Sequence, residues 1–395
     1  FNNPNWISDN NNFSSSNDRF IANQQLQWDP ISWLTLSERI GLDTYVDTRK
    51  KRTNIGTRGE PNGSMFDQKI QRSEINSDFT ANAIFDLNED IGLDAMIGNN
   101  INSRYYKQEF IEGTGLNIPD FFNVSNANTV TAEERKELRH LVSLYGQFVF
   151  DYRDYLFLTL TARNDWSSTL PEDNRSYFYP SAAVGFVFSE ALDIPTDLLS
   201  FGKIRASWAQ IGSDAPIYST STSYVQSDPQ DGVRGVINYP FNGVNGYRLS
   251  TTLGNPTLKP EITTEVELGT DLRFFDERLS LDAAYYTRTT TDQIFQVPVS
   301  SATGYNTKLS NAGELTNEGW EFSLNATPVA TRNFRWRING SWSKNTTTVD
   351  KLAEGVDNIF LGGFASASIR IVPEEDGYGA IRAIGWQRDD QGNLV

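Results

Sequence analysis

An all-β fold, an antiparallel transmembrane β-barrel, is the class this sequence predicts. Three observations predict it. Apolar and polar residues alternate over stretches longer than soluble strands use. Tight turns take turns with long polar links along the chain. Tryptophans gather near the ends of the alternating stretches.

The alternation runs through the chain in order. RFIANQQLQW (19–28) alternates, turns at Asp29-Pro30-Ile31-Ser32, and returns through 33–49 with Leu34, Leu36, Ile40, Leu42 and Val46 on one side. Glu38 breaks that apolar parity, and the sequence offers no reason beyond a rim position or a shifted register. The next strand carries Ile75, Phe79, Ala81, Ala83 and Phe85, turns at Asn88-Glu89-Asp90, and comes back with Ile91, Leu93, Ala95, Ile97 and Ile101. HLVSLYGQFVFDY (140–152) and YLFLTLTARNDW (155–166) follow around Arg153-Asp154, then 177–189, 203–212, 317–327 and 334–345. The clearest pair is EITTEVELGTDLRFFDERLSLDAAYYTRT (261–289). Ile262, Val266, Leu268, Leu272 and Phe274 share one parity there, and Glu261, Glu265, Glu267, Asp271 and Arg273 the other. Period-2 patterning means strands with one apolar face, and it predicts roughly 14 of them, each about 9–16 residues long. Soluble strands run to about 5–6 residues.

The links near 29–32, 88–90, 153–154, 275–278 and 328–333 are tight. Those at 49–70, 106–138, 212–258, 292–316 and 347–365 are long and rich in Asn, Gly, Ser and Asp. Short turns at one end and long loops at the other mark a bacterial membrane barrel. Closing the sheet satisfies every backbone donor and acceptor where lipid surrounds the chain. Trp28, Trp33, Trp166, Trp208, Trp320, Trp336 and Trp342 lie near turns or strand ends, as an interfacial girdle requires; core packing is the alternative for any one of them. A soluble sandwich would also alternate but gives no reason for the strand length. A propeller needs a repeat of about 40–50 residues, which is not seen.

Composition excludes several classes. The 395 residues carry 50 acidic and 34 basic side chains, a net charge of −16 that argues against a nucleic-acid partner. Mean hydropathy is −0.47, and no apolar run reaches the ~20 residues of a membrane helix. Cysteine is absent, which removes disulfides, thiolate zinc sites and cysteine nucleophiles. His140 is the one histidine, and no nucleophile-elbow motif accompanies it. Carboxylate pairs such as Glu133-Glu134 and Glu374-Glu375 read as solvated loop charge, although glycosidases use such groups. Asp- and Asn-rich loops at 9–12 and 389–393 have the oxygen chemistry of a hard-cation site. Thr131 and Glu134 have capping-box spacing, so TAEERKELRH predicts a short loop helix. The opening FNNPNWISDN is neither basic nor apolar, so Phe1 reads as an internal cut or a mature end.

The residues of 255–294, NPTLKPEITTEVELGTDLRFFDERLSLDAAYYTRTTTDQI, resemble the C-terminal half of the SusC/RagA-type TonB-dependent outer-membrane transporters. NAGELTNEGWEFSL (311–324) resembles that family's N-x-G-x-x-x-N-x-G-W/F-E strand entry. ARNDWSSTLPEDNRSYFYPSAAVGFVFSE (162–190), GKIRASWAQIG (202–212), ERIGLDTYVDTR (38–49) and the NPNW ending at Trp6 are similar to other family segments in the same order. The resemblance implies that residues 1–395 are a portion of one outer-membrane barrel of about 22 strands. The family's N-terminal plug, its TonB-binding motif and its terminal aromatic strand have no counterpart here. Asp389 to Asn393 read as a turn.

The resemblance further implies TonB-dependent import of oligosaccharides or peptides across the outer membrane of a Gram-negative bacterium. A SusD-like lipoprotein would act as a lid, and TonB would act through the missing N-terminal region. Membrane lipid and lipopolysaccharide would surround the barrel. No enzymatic step, cofactor, metal or nucleic acid is implied. The alternatives are a non-transporting barrel used as a structural or assembly platform and a soluble carbohydrate-binding or hydrolytic β-protein. Candidate ligand contacts are Tyr218, Tyr224, Tyr239, Phe241, Asn242, Asn245 and Tyr247, because aromatic faces beside amides suit sugars or peptides. Loop self-packing is the competing reading. The polar parity led by Glu261, Glu265, Glu267, Asp271 and Arg273 is expected to line a lumen.

Overall fold

The computed structural model describes residues 3–195, 198–227, 237, 239, 241–364, 367–374 and 376–394. It opens with helix α1 (Pro4–Asn10), capped by the Asn3 side chain. Long strands follow: β1 (Asn11–Ile31), β2 (Leu34–Thr53), β3 (Ser64–Asn88), β4 (Ile91–Leu116), β5 (Ala127–Tyr152), β6 (Leu156–Ser167) and β7 (Ser176–Val187). Helix α2 (Phe188–Ala191) precedes β8 (Leu199–Ser213). Three short strands interrupt the next link: β9 (Tyr224–Gln226), β10 (Tyr247–Leu249) and β11 (Thr252–Leu253). Then come β12 (Glu261–Phe274), β13 (Leu279–Pro298), β14 (Thr307–Ala330) and β15 (Arg335–Leu352). A small sheet of β16 (Ile359–Phe364), β17 (Ala367–Ile371) and β18 (Tyr378–Ala383) ends the described elements.

The large sheet is ordered β1-β2-β3-β4-β5-β6-β7-β8-β12-β13-β14, with β15 on β14 and β11 added in parallel to β14. Every long neighbour along the chain is a neighbour in the sheet, so each connection is a simple up-and-down turn. Among the described residues β1 and β15 have a long-strand partner on one side only. Residues 1–82 with 98–144 form one compact unit, and 83–97 with 145–395 a second.

The predicted alternation of links is present, with tight turns at 32–33, 89–90, 153–155, 275–278 and 331–334. Four of the five long links are shorter than predicted, because the strands beside them run longer; the link between β8 and β12 keeps its predicted length. β3, β4 and β5 reach 25, 26 and 26 residues. Backbone pairing continues past the apolar stretch into polar sequence, because a neighbouring strand offers partners whatever the side chains are. The predicted helix at 131–140 is a correction of the same kind: those residues belong to β5. Glu134 binds Lys107 of β4 at 3.2 Å and Lys136 at 2.7 Å, so the charges that suggested a cap serve a cross-strand ladder.

The second unit shows the two faces in register. Leu158 pairs with Val184, Val184 with Ala206, Ala206 with Leu268, Leu268 with Tyr285 and Tyr285 with Trp320. Residues directly opposite one another share a face, so this row is apolar across six strands, and Leu158, Val184, Leu268 and Trp320 are exposed. Trp320, Phe322 and Trp342 continue it as an aromatic cluster, with Tyr285 4.7 Å from Trp320 and Phe322 5.5 Å from Trp342. The buried apolar clusters among the described residues are small and lie toward the loops: Leu170, Tyr177, Ala215 and Leu258 in one, Leu315, Val349, Ile359 and Ile371 in the other. Apolar side chains that point outward in ranks, with no common interior, need an apolar solvent.

The first unit repeats the pattern and resolves Glu38. The β1–β2 register sets Leu26 against Glu38, Gln24 against Ile40 and Trp28 against Leu36. Glu38 therefore keeps its place among apolar neighbours, and its carboxylate accepts a hydrogen bond from the Ser77 hydroxyl at 2.7 Å.

Two neighbouring tight turns are tied together by charge. Arg153 donates from Nε to Asp90 at 2.7 Å, and its backbone N–H donates to the Asp90 carbonyl at 2.9 Å. The Arg153 guanidinium holds the Asp90 carboxyl below its ordinary value. A depressed acid stabilises the fold above its unfolded pKa of about 3.9 and loses that contribution as the pH falls further. Acid unfolding of the parent should therefore include a step below about pH 4 that Asp90→Asn lacks. Superimposable acid titrations of the two proteins would contradict the pairing.

Candidate functional site

Two features stand out as places for a ligand: the polar face of β8, β12 and β13, and the link between β8 and β12. On the polar face, Arg205 of β8 reaches Glu267 of β12 at 3.2 Å and Asp282 of β13 at 2.9 Å. It lies flat over Gly269, where an added Cβ would come within 2.5 Å of its guanidinium carbon. Arg288 pairs with Glu265, and Arg273 bridges Asp271 at 3.2 Å and Glu277 at 3.1 Å. Glu261 accepts from the Ile294 backbone N–H at 2.7 Å. Glu261, Glu265, Glu267, Asp271 and Arg273 thus share one face, as the parity predicted. The sequence did not show that most of them are already paired.

The link is anchored at its base by buried polar groups. Ser167 and Thr169 both donate to Asp214, Thr169 at 3.1 Å. Asp165 accepts from Arg163 Nε at 2.8 Å and from the Tyr179 hydroxyl at 2.7 Å. These contacts make the ARNDWSST stretch an anchor for the link. Leu258 is fully buried against Leu170, Tyr177 and Ala215. Asn255 N–H donates to the Ser219 carbonyl at 2.9 Å.

Above that base, β9 and β10 pair as a short antiparallel ladder, Tyr247 with Gln226 and Leu249 with Tyr224. Tyr224, Gln226, Tyr247 and Leu249 therefore project from one face, and Val225 and Arg248 from the other. Tyr224 is 71% exposed and Tyr247 65%. Their diagonal placement sets the two residues about 7–8 Å apart, within reach for two rings to form one platform. Of the seven predicted contacts, the structure brings these two together. Tyr239 is half-buried with its ring against Gly246, where an added Cβ would meet it at 2.5 Å, and its carbonyl accepts from Gln226 at 2.8 Å. Asn242 has φ 48° and Gly243 φ 77°, the signature of a two-residue hairpin turn between Phe241 and Val244. Asn242 is thereby accounted for as a turn residue. Phe241 and Asn245 are exposed near that turn, and Tyr218, with φ 61°, sits in a separate turn. Gln226 and Leu249 were missed; the period-2 spacing of YVQ and YRL carried the signal, but nothing in the sequence marked those triplets as strands.

His140 lies within β5, exposed, away from any nucleophile motif. Asp389 is engaged by its own turn: its carboxylate accepts from the backbone N–H of Gln391 at 3.0 Å and of Asn393 at 2.8 Å, and from the Asn393 side chain at 3.1 Å, which lowers its pKa. Among the described residues no group of three or more acidic or imidazole side chains is placed to hold a metal ion.

A sheet with oil-facing rows on one side and paired charges on the other, joined by alternating turns and loops, belongs to a membrane β-barrel protein. A sequence model described as TonB dependent receptor-like, beta-barrel matches residues 1–373, and the chain belongs to that family. It is an outer-membrane family of receptors, not of enzymes. TonB-dependent receptor P26 of Formosa agariphila is 33% identical over 267 residues, covering 64% of this chain and 25% of the relative. TonB-dependent receptor SusC of Bacteroides thetaiotaomicron is 30% identical over 228 residues, 55% of this chain and 22% of that protein. The chain thus spans about a quarter of the length of these curated relatives. A solved structure of the RagAB peptide transporter superimposes with a TM-score of 0.80 at 21% identity, over 94% of this chain and 41% of the other. That likeness is one of fold.

Proposed function

We propose that the polypeptide carrying this sheet imports an oligosaccharide or a peptide across the outer membrane of a Gram-negative bacterium. The observation that carries the reading is the family match over residues 1–373, on a sheet whose exposed face is apolar and whose other face is charged. Among the described residues β1 and β15 have a long-strand partner on one side only, which supports a larger barrel, because an unpaired strand edge in lipid leaves backbone groups unsatisfied. TonB acts through a plug region of the same polypeptide, and a SusD-like lipoprotein closes over the loops. The RagAB structure, a peptide transporter of the same fold, supports the peptide part of that cargo class.

In this reading the loop face of Tyr224 and Tyr247 meets cargo first. Stacking of a ring on a sugar or peptide group contributes about 0.5–1.5 kcal/mol beyond area burial. The double variant Tyr224→Ala/Tyr247→Ala should therefore raise the uptake constant of the full-length receptor by roughly 10-fold or more, with the folded protein's abundance in the membrane unchanged. Uptake by the parent must also stop when TonB is deleted. Accumulation of labelled cargo that ignores both changes would remove the transport reading and leave a structural barrel.

A further inference from the structure

The polar face of the first unit carries one cation that stands apart. On β2 that face is the parity of Arg39, Asp43, Tyr45, Asp47, Arg49 and Lys51, opposite to the apolar Ile40, Leu42 and Val46. On β3 it carries Phe66, Arg72, Glu74 and Asp78, and on β4 Arg104, Tyr106 and Phe110. The other cations of this face on β1 to β4 meet carboxylates. Arg39 lies 3.1 Å from Asp78, Arg49 2.7 Å from Asp47, Lys51 3.7 Å from Glu60 and Arg104 3.1 Å from Glu74. Arg19 pairs with Asp43. Arg72 is exposed and meets no carboxylate among the described residues.

Arg72 is held by a ring instead. Its guanidinium carbon lies 5.2 Å from the centre of the Tyr106 ring, and the Tyr106 hydroxyl donates to Gln108 at 2.5 Å. The Thr44 hydroxyl donates to the Arg72 carbonyl at 3.1 Å, so β2 passes Arg72 next to Tyr45. Arg49 lies in the electrostatic field of both tyrosine hydroxyls. A guanidinium stacked on a ring keeps its edge N–H groups free, and that planar fork matches a carboxylate.

Toward the long links the same face becomes aromatic. Phe13, opposite Lys51, meets Phe66 at 6.4 Å and 64°, and Phe66 meets Phe110 at 5.3 Å and 41°. Phe13 is exposed. The tilted rings form ridges, which suit a branched apolar side chain better than the flat face of a sugar ring. At about 3.3 Å per residue, Phe66 lies about 20 Å from Arg72 along β3, and Phe110 about 13 Å from Tyr106 along β4. An extended peptide has the same rise, so its carboxyl end and a side chain about four to six residues before it span that distance. β3 begins at Ser64 beside a long link and ends at Asn88 at a tight turn, which puts the patch on the loop half of the strand.

We propose that this patch captures the C-terminus of a peptide cargo, with the carboxylate on Arg72 and an apolar side chain on the phenylalanine row. The inference rests on the import reading above and selects the peptide within it.

The probe is a library of random octapeptides, made once with free carboxyl ends and once as C-terminal amides. Peptides retained by the full-length receptor are eluted and identified by mass spectrometry. The parent should retain the acids about tenfold over the amides, with Leu, Ile, Val or Phe enriched four to six residues before the end. Arg72→Gln should abolish the preference for the acid, and Arg72→Lys should keep part of it. Phe66→Ala should abolish the apolar enrichment and leave the acid preference. Lys69→Gln, on the opposite face, should behave as the parent. Equal retention of acids and amides, retention of neither, or an unchanged acid preference in Arg72→Gln would overturn the proposal. So would Arg72-dependent retention of uronate-ended oligosaccharides in place of peptides. Cargo accumulation by the parent that persists without TonB would instead remove the import reading beneath it.

Discussion

Leu268→Arg is expected to destabilise the full-length receptor in lipid vesicles by about 2–4 kcal/mol, the cost of a basic side chain near the bilayer midplane of a barrel. Leu268 sits in the middle of the apolar rows, between Val266 and Leu272, opposite Ala206 and Tyr285, and is 55% exposed. For an exposed residue of a water-soluble protein the same change would fall within about 0.5 kcal/mol. The two settings therefore predict opposite outcomes from one substitution. Ser323→Arg, on the charged face opposite Asp282, is the matched control and should be tolerated. Urea unfolding in vesicles, followed by the heat-sensitive mobility of the folded band, measures both. Equal tolerance of the two arginines would mean that the apolar rows face water.

Asp165→Ala is expected to remove about 2–4 kcal/mol of stability and to loosen the long link between β8 and β12. The carboxylate is 3% exposed and is the acceptor shared by Arg163 and Tyr179. Losing one member of a buried charged network leaves the others desolvated without their acceptor. Arg163 retains some solvent contact, with a side chain 32% exposed, which keeps the expected loss below the upper end for fully buried pairs. Asp165→Asn keeps an oxygen for the Tyr179 hydroxyl and should lose less. Thermal unfolding ranks the three proteins, and proteolysis in 213–258 reports the loop. An Asp165→Ala protein as stable and as protease-resistant as the parent would show that the network is incidental.

The sequence was most legible where one rule governs both local and global structure. In 261–289 the alternation that makes a strand also chooses its face, and the register then sets Val266, Leu268 and Leu272 on the exposed side. Tight turns at Asn88-Glu89-Asp90 and Arg153-Asp154 were equally plain, since a short polar interruption between two alternating stretches has few other uses. The segment 131–140 misled because a capping box is a local signal. Its ten residues supply the helix's own bonds, but β4 supplies a whole ladder.

The ligand candidates show the same division. Seven loop residues were chosen for their chemistry, and chemistry was all the sequence offered. Two of them, Tyr224 and Tyr247, share a face because three-residue strands happen to pair. Asn242 was explained by a turn, and Tyr239 by its contact with Gly246. Gln226, Leu249 and the Asp165 and Asp214 anchors could be recognised only from contacts between residues far apart in the chain.

By itself, then, the sequence determined the all-β class, the parity of each strand and the alternation of turns with loops. These follow from side-chain period and turn chemistry, which act between near neighbours. Only the tertiary structure decided how far each strand extends, which charges are paired and which aromatics form one surface. Those depend on the partner across the ladder, and a partner tens of residues away leaves no mark on local spacing.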